Sequence, residues 1–303
     1  NKTMYNIKVN FNHHYPMAIL NSLITESTRL GYTVSKNNSI PVNSIYVNDK
    51  PVGYVVYEDA FHFGDHHIKN MNANDYKKIF KFHYSPNIID YSNLPINPKY
   101  LDRIVPGGLW RCWETQPKYL GWDKQDLLTR SRNIDIVSTM RYTNSGTPKD
   151  PKNWPEWSHV RKNLMEQTHQ LRTEGYKTVY EMKPRDVYVN QILKNTKLGF
   201  IWSASSYLGW KIPEFIQEGV IMITEPLGKD YMLCNDVAIE DGVHCIFEKN
   251  PKHFSDVAKE LLKDTATMQK IKSNCLDLWE SKLSRPSVGE WYFNQLVEGY
   301  TKN

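Results

Sequence analysis

Cysteine is scarce: the four residues Cys112, Cys234, Cys245 and Cys275 are scattered through 303 positions, and none forms a Cys-x-x-Cys pair. A disulfide framework or zinc knuckle has no basis in that spacing, and reduced thiols of a cytoplasmic protein fit it better. No apolar run approaches the ~20 residues that span a bilayer, so no membrane span is expected. The opening residues, Asn1-Lys2-Thr3-Met4-Tyr5, pass directly into a strand-like segment. No signal peptide is visible there, and a soluble protein is expected. Phosphate-cradling glycine patterns are also missing. No Gly-x-Gly-x-x-Gly follows the first strand and no Gly-x-x-x-x-Gly-Lys-Ser/Thr occurs, which disfavours a dinucleotide dehydrogenase and a P-loop NTPase. Without a Gly-x-Ser-x-Gly elbow a serine hydrolase has no anchor. No Asp-x-Asp follows a strand to hold a metal and a diphosphate, and neither internal repeats nor low-complexity tracts are present. The charge excess is small, 38 Lys+Arg against 33 Asp+Glu, or +5. That tolerates an anionic ligand but falls short of the dense basic footprint of a nucleic-acid-binding protein.

What remains is an ordinary globular composition, 40% hydrophobic and 23% charged, with a high aromatic content of 13%. Flat rings suit sugars and bases, and they also fill cores. Strand-like and helix-like segments alternate, the pattern of an α/β fold with largely parallel sheets. Tyr5 to Phe11 reads as a first strand. Met17 to Leu30 reads as a helix through Ile19, Leu20, Leu23, Ile24 and Leu30, closed by Gly31. Ser44 to Asn48 and Pro51 to Tyr57 read as strands joined by a hairpin at Asn48-Asp49-Lys50. Ile79 to Tyr84 is a further strand, and residues 85–121 are rich in Pro, Asn and Gly.

A second unit opens with the strand Ile134 to Met140 and a long helix, Trp157 to Glu174. Strands follow at Lys177 to Tyr180, Leu198 to Trp202, Val220 to Thr224 and Val243 to Phe247. Helices are expected at Asp186 to Leu193, Pro213 to Glu218, His253 to Leu262 and, with a break near Pro286, Thr267 to Tyr300. The expected division is residues 1–130 as an N-terminal domain, 131–285 as a C-terminal domain, and a last helix, 286–303, packing back on the first. Two Rossmann-like domains would then face a cleft, with chemistry just beyond the carboxyl ends of the strands.

The most informative stretch is Leu198 to Pro226, LGFIWSASSYLGWKIPEFIQEGVIMITEP. A buried strand ends in small residues, and a loop carries Gly209 and Lys211. A helix begins at Pro213-Glu214, and Gly219 precedes a second buried strand. This stretch resembles the donor-binding segment of GT-B glycosyltransferases of the broad group 1 and exostosin-like families. Those families show small residues, Gly, Arg or Lys, a short gap, Glu, and Gly before a strand. The match falls on Gly209, Lys211, Glu214, Gly219 and Val220 to Thr224, and elsewhere the likeness is one of fold order. The resemblance implies a nucleotide diphosphate sugar, UDP-linked by preference, bound by Ser205, Gly209, Trp210, Lys211 and Glu214. A helix N-terminus and a cation would hold the diphosphate, and Glu214 would accept the ribose hydroxyls. Lys211 departs from the commoner Arg and offers a point charge instead of a planar fork. In composition, the compact Asn- and Lys-rich chain is similar to virus- or microbe-encoded members of such families.

Arg141, after the strand Ile134 to Met140, is a second candidate for the diphosphate, and Lys183 a third. In the first domain His13 and His14 follow the first strand. The resemblance puts a catalytic base in this region, and an imidazole with pKa near ~6.5 suits that task. Glu58 and Asp59 follow the strand Val52 to Tyr57 and compete with His14 for the role. His62, Asp65, His66 and His67 invite a metal reading, but Gly64 interrupts any helix between them and no metal site is assigned. Lys81 alternates with Phe80 and Phe82 and faces either a cleft or solvent. Trp110, Trp113 and Trp122 offer rings to an acceptor sugar.

The implied enzyme moves a hexosyl or pentosyl group from the nucleotide sugar to a hydroxyl of a glycan or glycoprotein acceptor. Inversion without a metal cofactor is expected, with Lys211, Arg141 and the helix N-terminus neutralising the leaving group. Its rivals are a DNA-base glycosyltransferase of the same fold and a non-catalytic sugar- or nucleotide-binding module.

Overall fold

A computed structural model describes residues 4–57, 62–85, 89–108, 122–204, 211–227 and 232–302. In chain order the first strands and helices are β1 (Tyr5–Val9), α1 (Met17–Leu30), β2 (Tyr32–Lys36), β3 (Ser44–Val47), β4 (Lys50–Val56), α2 (Asp65–Asn72), β5 (Lys78–Lys81) and β6 (Ile104–Pro106). Then come α3 (Lys124–Thr129), β7 (Ile134–Val137), α4 (Glu156–Thr173), β8 (Thr178–Val179), α5 (Arg185–Val187), β9 (Thr196–Ile201), α6 (Lys211–Glu218) and β10 (Ile221–Thr224). The last are β11 (Met232–Leu233), β12 (Val237–Ala238), β13 (Cys245–Phe247), α7 (Phe254–Lys263), α8 (Thr265–Leu278) and α9 (Arg285–Thr301). The chain divides into two compact units. Unit 1 takes residues 1–115, 228–238 and 280–303, and unit 2 takes residues 116–227 and 239–279.

Unit 1 is built on a six-stranded sheet of order β2-β1-β3-β4-β5-β6. β3 runs antiparallel to both β1 and β4, and every other pairing is parallel. The carboxyl ends of β1, β4, β5 and β6 therefore share one edge. The hairpin between β3 and β4 turns on Asn48 and Asp49, both at positive φ (48° and 63°), the pair of left-handed residues that a two-residue turn of this twist requires. Asn48 Oδ1 accepts the Asn6 N–H at 2.8 Å, tying the turn to β1. α1 ends at Gly31 in the left-handed conformation (φ 75°), as its sequence predicts. Ile24, counted on its apolar stripe, is instead half exposed.

β6, within residues read as loops and turns, and α3, β11 and β12 are absent from the sequence reading, and two further elements depart from it. β2 (YTVSK) is a strand in which only Tyr32 is buried, so it carries little hydrophobic signal. α2 begins immediately after Gly64, which stands at its N-cap and so starts the helix that it was expected to interrupt. α9 packs on α1 within unit 1. A Cβ on Gly289 would fall 2.2 Å from the Ser22 carbonyl oxygen, so only glycine lets the helices approach this closely. Much of the aromatic excess is core: Tyr54, Tyr76, Tyr91 and Tyr100 are buried in one cluster with Phe63 and Met71. Their hydroxyls find partners inside it, Tyr76 with Ser44 Oγ at 2.5 Å and Tyr100 with the Met71 carbonyl at 2.7 Å.

Unit 2 holds a five-stranded, wholly parallel sheet of order β13-β10-β9-β7-β8. From β7 the chain adds β8 on one side and then β9, β10 and β13 on the other, so the order reverses between β7 and β9. Such a reversal leaves a crevice at the carboxyl ends of the strands. β9 and β10 are buried almost throughout, as expected of central parallel strands. Cys234, Cys245 and Cys275 are buried free thiols; burial pushes Cys275 up to about 12, which keeps it protonated and inert.

Gly199 in the middle of β9 sets how near α6 can come. A Cβ there would stand 2.2 Å from Phe215 Cε2 and 2.6 Å from its Cζ. Replacing Gly199 with Ala should therefore destabilise unit 2 by about 1–3 kcal/mol through overpacking. The check is a lower urea midpoint for the phase reported by unit 2; an unchanged midpoint would show that α6 is free to move outward.

Candidate functional site

The carboxyl edge of the unit 2 sheet collects charge on a buried helix. Residues Ile212 to Glu218 of α6 are all buried, and Glu214 is 0% exposed. Its carboxylate is ion-paired with Arg185, which opens α5 after the β8 exit. One turn earlier on the same helix, Lys211 Nζ donates to Thr139 Oγ1 at 3.0 Å and to the Tyr188 hydroxyl at 3.3 Å. The ammonium also stands 4.4 Å from the centre of the Tyr188 ring, a cation–π contact. Lys211 keeps some exposure along its length, yet its ammonium is desolvated, which lowers its pKa to about 8. Glu214 opposes that shift, while Arg185 and Arg161 add to it. Burial drives the Tyr188 phenol far above its usual value, so it stays a neutral donor and acceptor.

The far end of α6 is held equally firmly. Arg132, itself buried, donates to the Glu218 carbonyl at 2.6 Å, to Thr196 at 2.7 Å and to Leu127 at 3.2 Å. One guanidinium thereby caps α6, joins the end of α3 and meets the start of β9. The Trp122 indole N–H donates to the Gln217 carbonyl at 2.7 Å, so this ring is anchored in unit 2.

Of the other residues singled out from sequence, Arg141 lies exposed just beyond β7, and its carbonyl accepts from Arg161 at 2.9 Å. Lys183 is exposed in the turn ahead of α5. Ser205, Gly209 and Trp210 fall outside the described residues, as do Glu58 and Asp59, Trp110 and Trp113. The structure thus brings Lys211 and Glu214 onto one helix turn and adds Arg185, Thr139 and Tyr188, which sequence reasoning missed. A prolyl-capped helix start at Pro184-Arg185 was the available signal for Arg185; Thr139 and Tyr188 had none.

In unit 1, His13 is stacked between two rings. His14 lies 4.1 Å away at 28° and Tyr57 lies 4.4 Å away at 11°, with Tyr15 edge-on. Because His13 follows β1 and Tyr57 follows β4, the stack bridges the exits of two parallel strands across β3. The Tyr15 N–H donates to His13 Nδ1 at 3.2 Å, which puts the proton of the neutral ring on Nε2. His14, beside it, is exposed.

Lys81 is corrected on both counts: it is fully buried, with Nζ 5.6 Å from the Phe63 ring centre, and faces neither cleft nor solvent. His67 is also core; Tyr54 shares a 3.0 Å hydrogen bond with its Nδ1, and burial lowers its pKa to about 3. Among the described residues no group of three or more His, Cys, Asp or Glu side chains is arranged to hold a metal ion. Among them, too, no helix is long and apolar enough to cross a membrane.

No family model and no curated protein sequence matches the chain. Solved structures do. Anabaena HepE crystallised with UDP and glucose matches 96% of this chain and 100% of its own, with a TM-score of 0.54 at 10% identity. HepE with UDP-glucose matches 98% and 100%, with a TM-score of 0.52 at 11% identity. A Rickettsia africae glycosyltransferase matches 100% of both chains, with a TM-score of 0.50 at 12% identity. At such identities the likeness is one of architecture, and the architecture expected from sequence holds: the chain has the α/β GT-B fold.

The Arg185–Glu214 pair is testable on its own. Arg185→Met removes the ion-pair partner of a carboxylate that is 1% exposed, and should cost about 2–4 kcal/mol. That is below the loss from a fully enclosed pair, because Arg185 retains contact with water. Adding Glu214→Gln should recover part of it. A double-mutant cycle by chemical denaturation with no coupling would dismiss the pair as a structural unit.

Proposed function

We propose that the chain is a glycosyltransferase that moves a sugar from a nucleotide diphosphate donor to a hydroxyl of a glycan acceptor. The observation that carries this reading is a desolvated ammonium, Lys211, at the carboxyl edge of a GT-B parallel sheet whose order reverses between β7 and β9. That edge is where open α/β sheets take phosphorylated ligands. The UDP and UDP-glucose held by HepE, which shares the fold, support a UDP-sugar here.

In this reading Lys211 binds the diphosphate with Arg141, and Lys183 guards the rim. Arg185 orients the Glu214 carboxylate toward the ribose hydroxyls. Ser205, Gly209 and Trp210 complete the donor site. At the unit 1 sheet edge, His14, Asp59 or Glu58 removes the acceptor proton. The acceptor oxygen then bonds to the anomeric carbon on the face opposite the leaving group, and the bond from that carbon to the diphosphate oxygen breaks. The configuration inverts in a single displacement. Charge developing on the diphosphate is met by Lys211, held by Thr139 and Tyr188 before reaction begins, and by Arg141, in place of a metal ion. The +5 net charge, spread over 303 residues, suits one such anion better than a nucleic-acid backbone.

Lys211 makes the reading sensitive to pH. Its lowered pKa, about 8, means that the binding cation is present below that pH and is lost above it. UDP affinity should fall as pH rises from 7 to 9, with proton uptake on binding near pH 8. Calorimetry in buffers of different ionisation enthalpy measures both. In Lys211→Met the affinity should drop at least about tenfold, some 1.4 kcal/mol, and the slope should vanish. A pH-independent affinity in the wild-type protein would remove Lys211 from the diphosphate. Separately, His14→Ala should lower turnover with UDP affinity intact; full activity would leave proton removal to Glu58 or Asp59.

A further inference from the structure

Arg161 stands on α4, outside the cluster around Lys211, and its guanidinium crosses the crevice where the strand order reverses. Nε and Nη2 donate to the Trp202 carbonyl at 2.9 and 2.7 Å, and Nη1 donates to the Arg141 carbonyl at 2.9 Å. Trp202 is the first residue after β9 and Arg141 lies just beyond β7. Both carbonyls belong to backbone that has left its sheet ladder and needs another partner. The Trp157 ring, 5.3 Å from the guanidinium carbon, helps hold the cation in place.

On the other flank of β9, Glu225 follows β10 and accepts the Ser203 N–H at 2.5 Å. Burial raises the pKa of this carboxyl, and its hydrogen bonds to Ser203 and the charge of Arg161 pull it back down. Two successive residues are therefore gripped by opposite charges, Trp202 through its carbonyl and Ser203 through its N–H. From there the chain runs through 205–210 to Lys211 at the start of α6.

We propose that Arg161 and Glu225 are positioning residues, a clasp across the β7–β9 crevice that sets the backbone leading into the diphosphate-binding segment. The proposal rests on the donor-site reading of that edge. It requires the planar fork of arginine: three N–H groups serve two carbonyls at fixed angles, which a lysine point charge does not reproduce. Likewise it requires only an acceptor at Glu225.

Hydrogen exchange on the ligand-free protein, together with UDP and uridine titrations followed by ligand-observed NMR, tests it in Arg161→Lys, Glu225→Gln and Glu225→Leu. In Arg161→Lys and Glu225→Leu, amides spanning 202–213 should exchange about fivefold faster or more, with the rest of unit 2 unchanged. UDP affinity should fall about tenfold while uridine affinity stays within about twofold, because in this reading the cation at Lys211 meets only the diphosphate. Glu225→Gln, which keeps an acceptor, should behave as the wild type. Wild-type exchange and UDP affinity in Arg161→Lys would overturn the clasp and leave Arg161 as a simple charge. An equal loss for UDP and uridine would overturn positioning in favour of general loosening. A wild-type protein that binds no UDP would refute the donor-site reading, and with it the clasp's link to a diphosphate; the exchange measurement still decides whether the clasp exists.

Discussion

Helix α6 carries a carboxylate and an ammonium one turn apart into a layer from which water is largely excluded, and the rest of unit 2 is arranged around satisfying them. Isolated charges in such surroundings are costly enough to neutralise or to unfold the element that bears them. Glu214 is kept in place by Arg185, and Lys211 by a threonine and a tyrosine that offer oxygen without charge. At the other end the Arg132 guanidinium, lowered to about 10 by its burial, spends its donors on three backbone carbonyls, and the neighbouring Glu218 carboxyl is raised by burial to about 7. With both ends pinned and the Phe215 ring seated against Gly199, the helix has little freedom to slide. A rigid mount of this kind fixes the ammonium in place, and in the proposed donor site that is the property electrostatic catalysis depends on.

The two units use the same device with different chemistry. Each has an open sheet, and in each a side-chain contact bridges the exits of two parallel strands. In unit 1 the bridge is the ring stack of His13 and Tyr57, which presents flat polarisable faces. In unit 2 it is the Arg161 guanidinium, which presents charge.

The alternation of strands and helices was plain in the chain because apolar runs such as IMIT and TKLGFI are buried on both faces and bounded by turn residues. α1 and its closing glycine were equally readable, since capping is local. β2 was not, having a single buried side chain, and α2 was lost because a glycine can start a helix as well as break one. At the site, Lys211 and Glu214 were visible through the spacing of a short motif. Their partners were not: Thr139 is 72 positions from Lys211 and Arg185 is 29 from Glu214. Arg161 and Glu225 meet Trp202 and Ser203 across 41 and 22 positions. Such pairings follow from the strand order of the sheet, which periodicity does not encode.

Unit 1 is assembled from three stretches of chain, and unit 2 is inserted among them. Strands β1 to β6 of unit 1 are synthesised before any of unit 2, yet α9, which covers α1 through Gly289, follows all of it. The usual order, in which the N-terminal body matures first, is therefore inverted. Unit 2 can close as soon as residue 279 has emerged, while α1 waits with an uncovered face. A pause or truncation between residues 279 and 301 would leave unit 2 complete and α1 without the helix that packs on it.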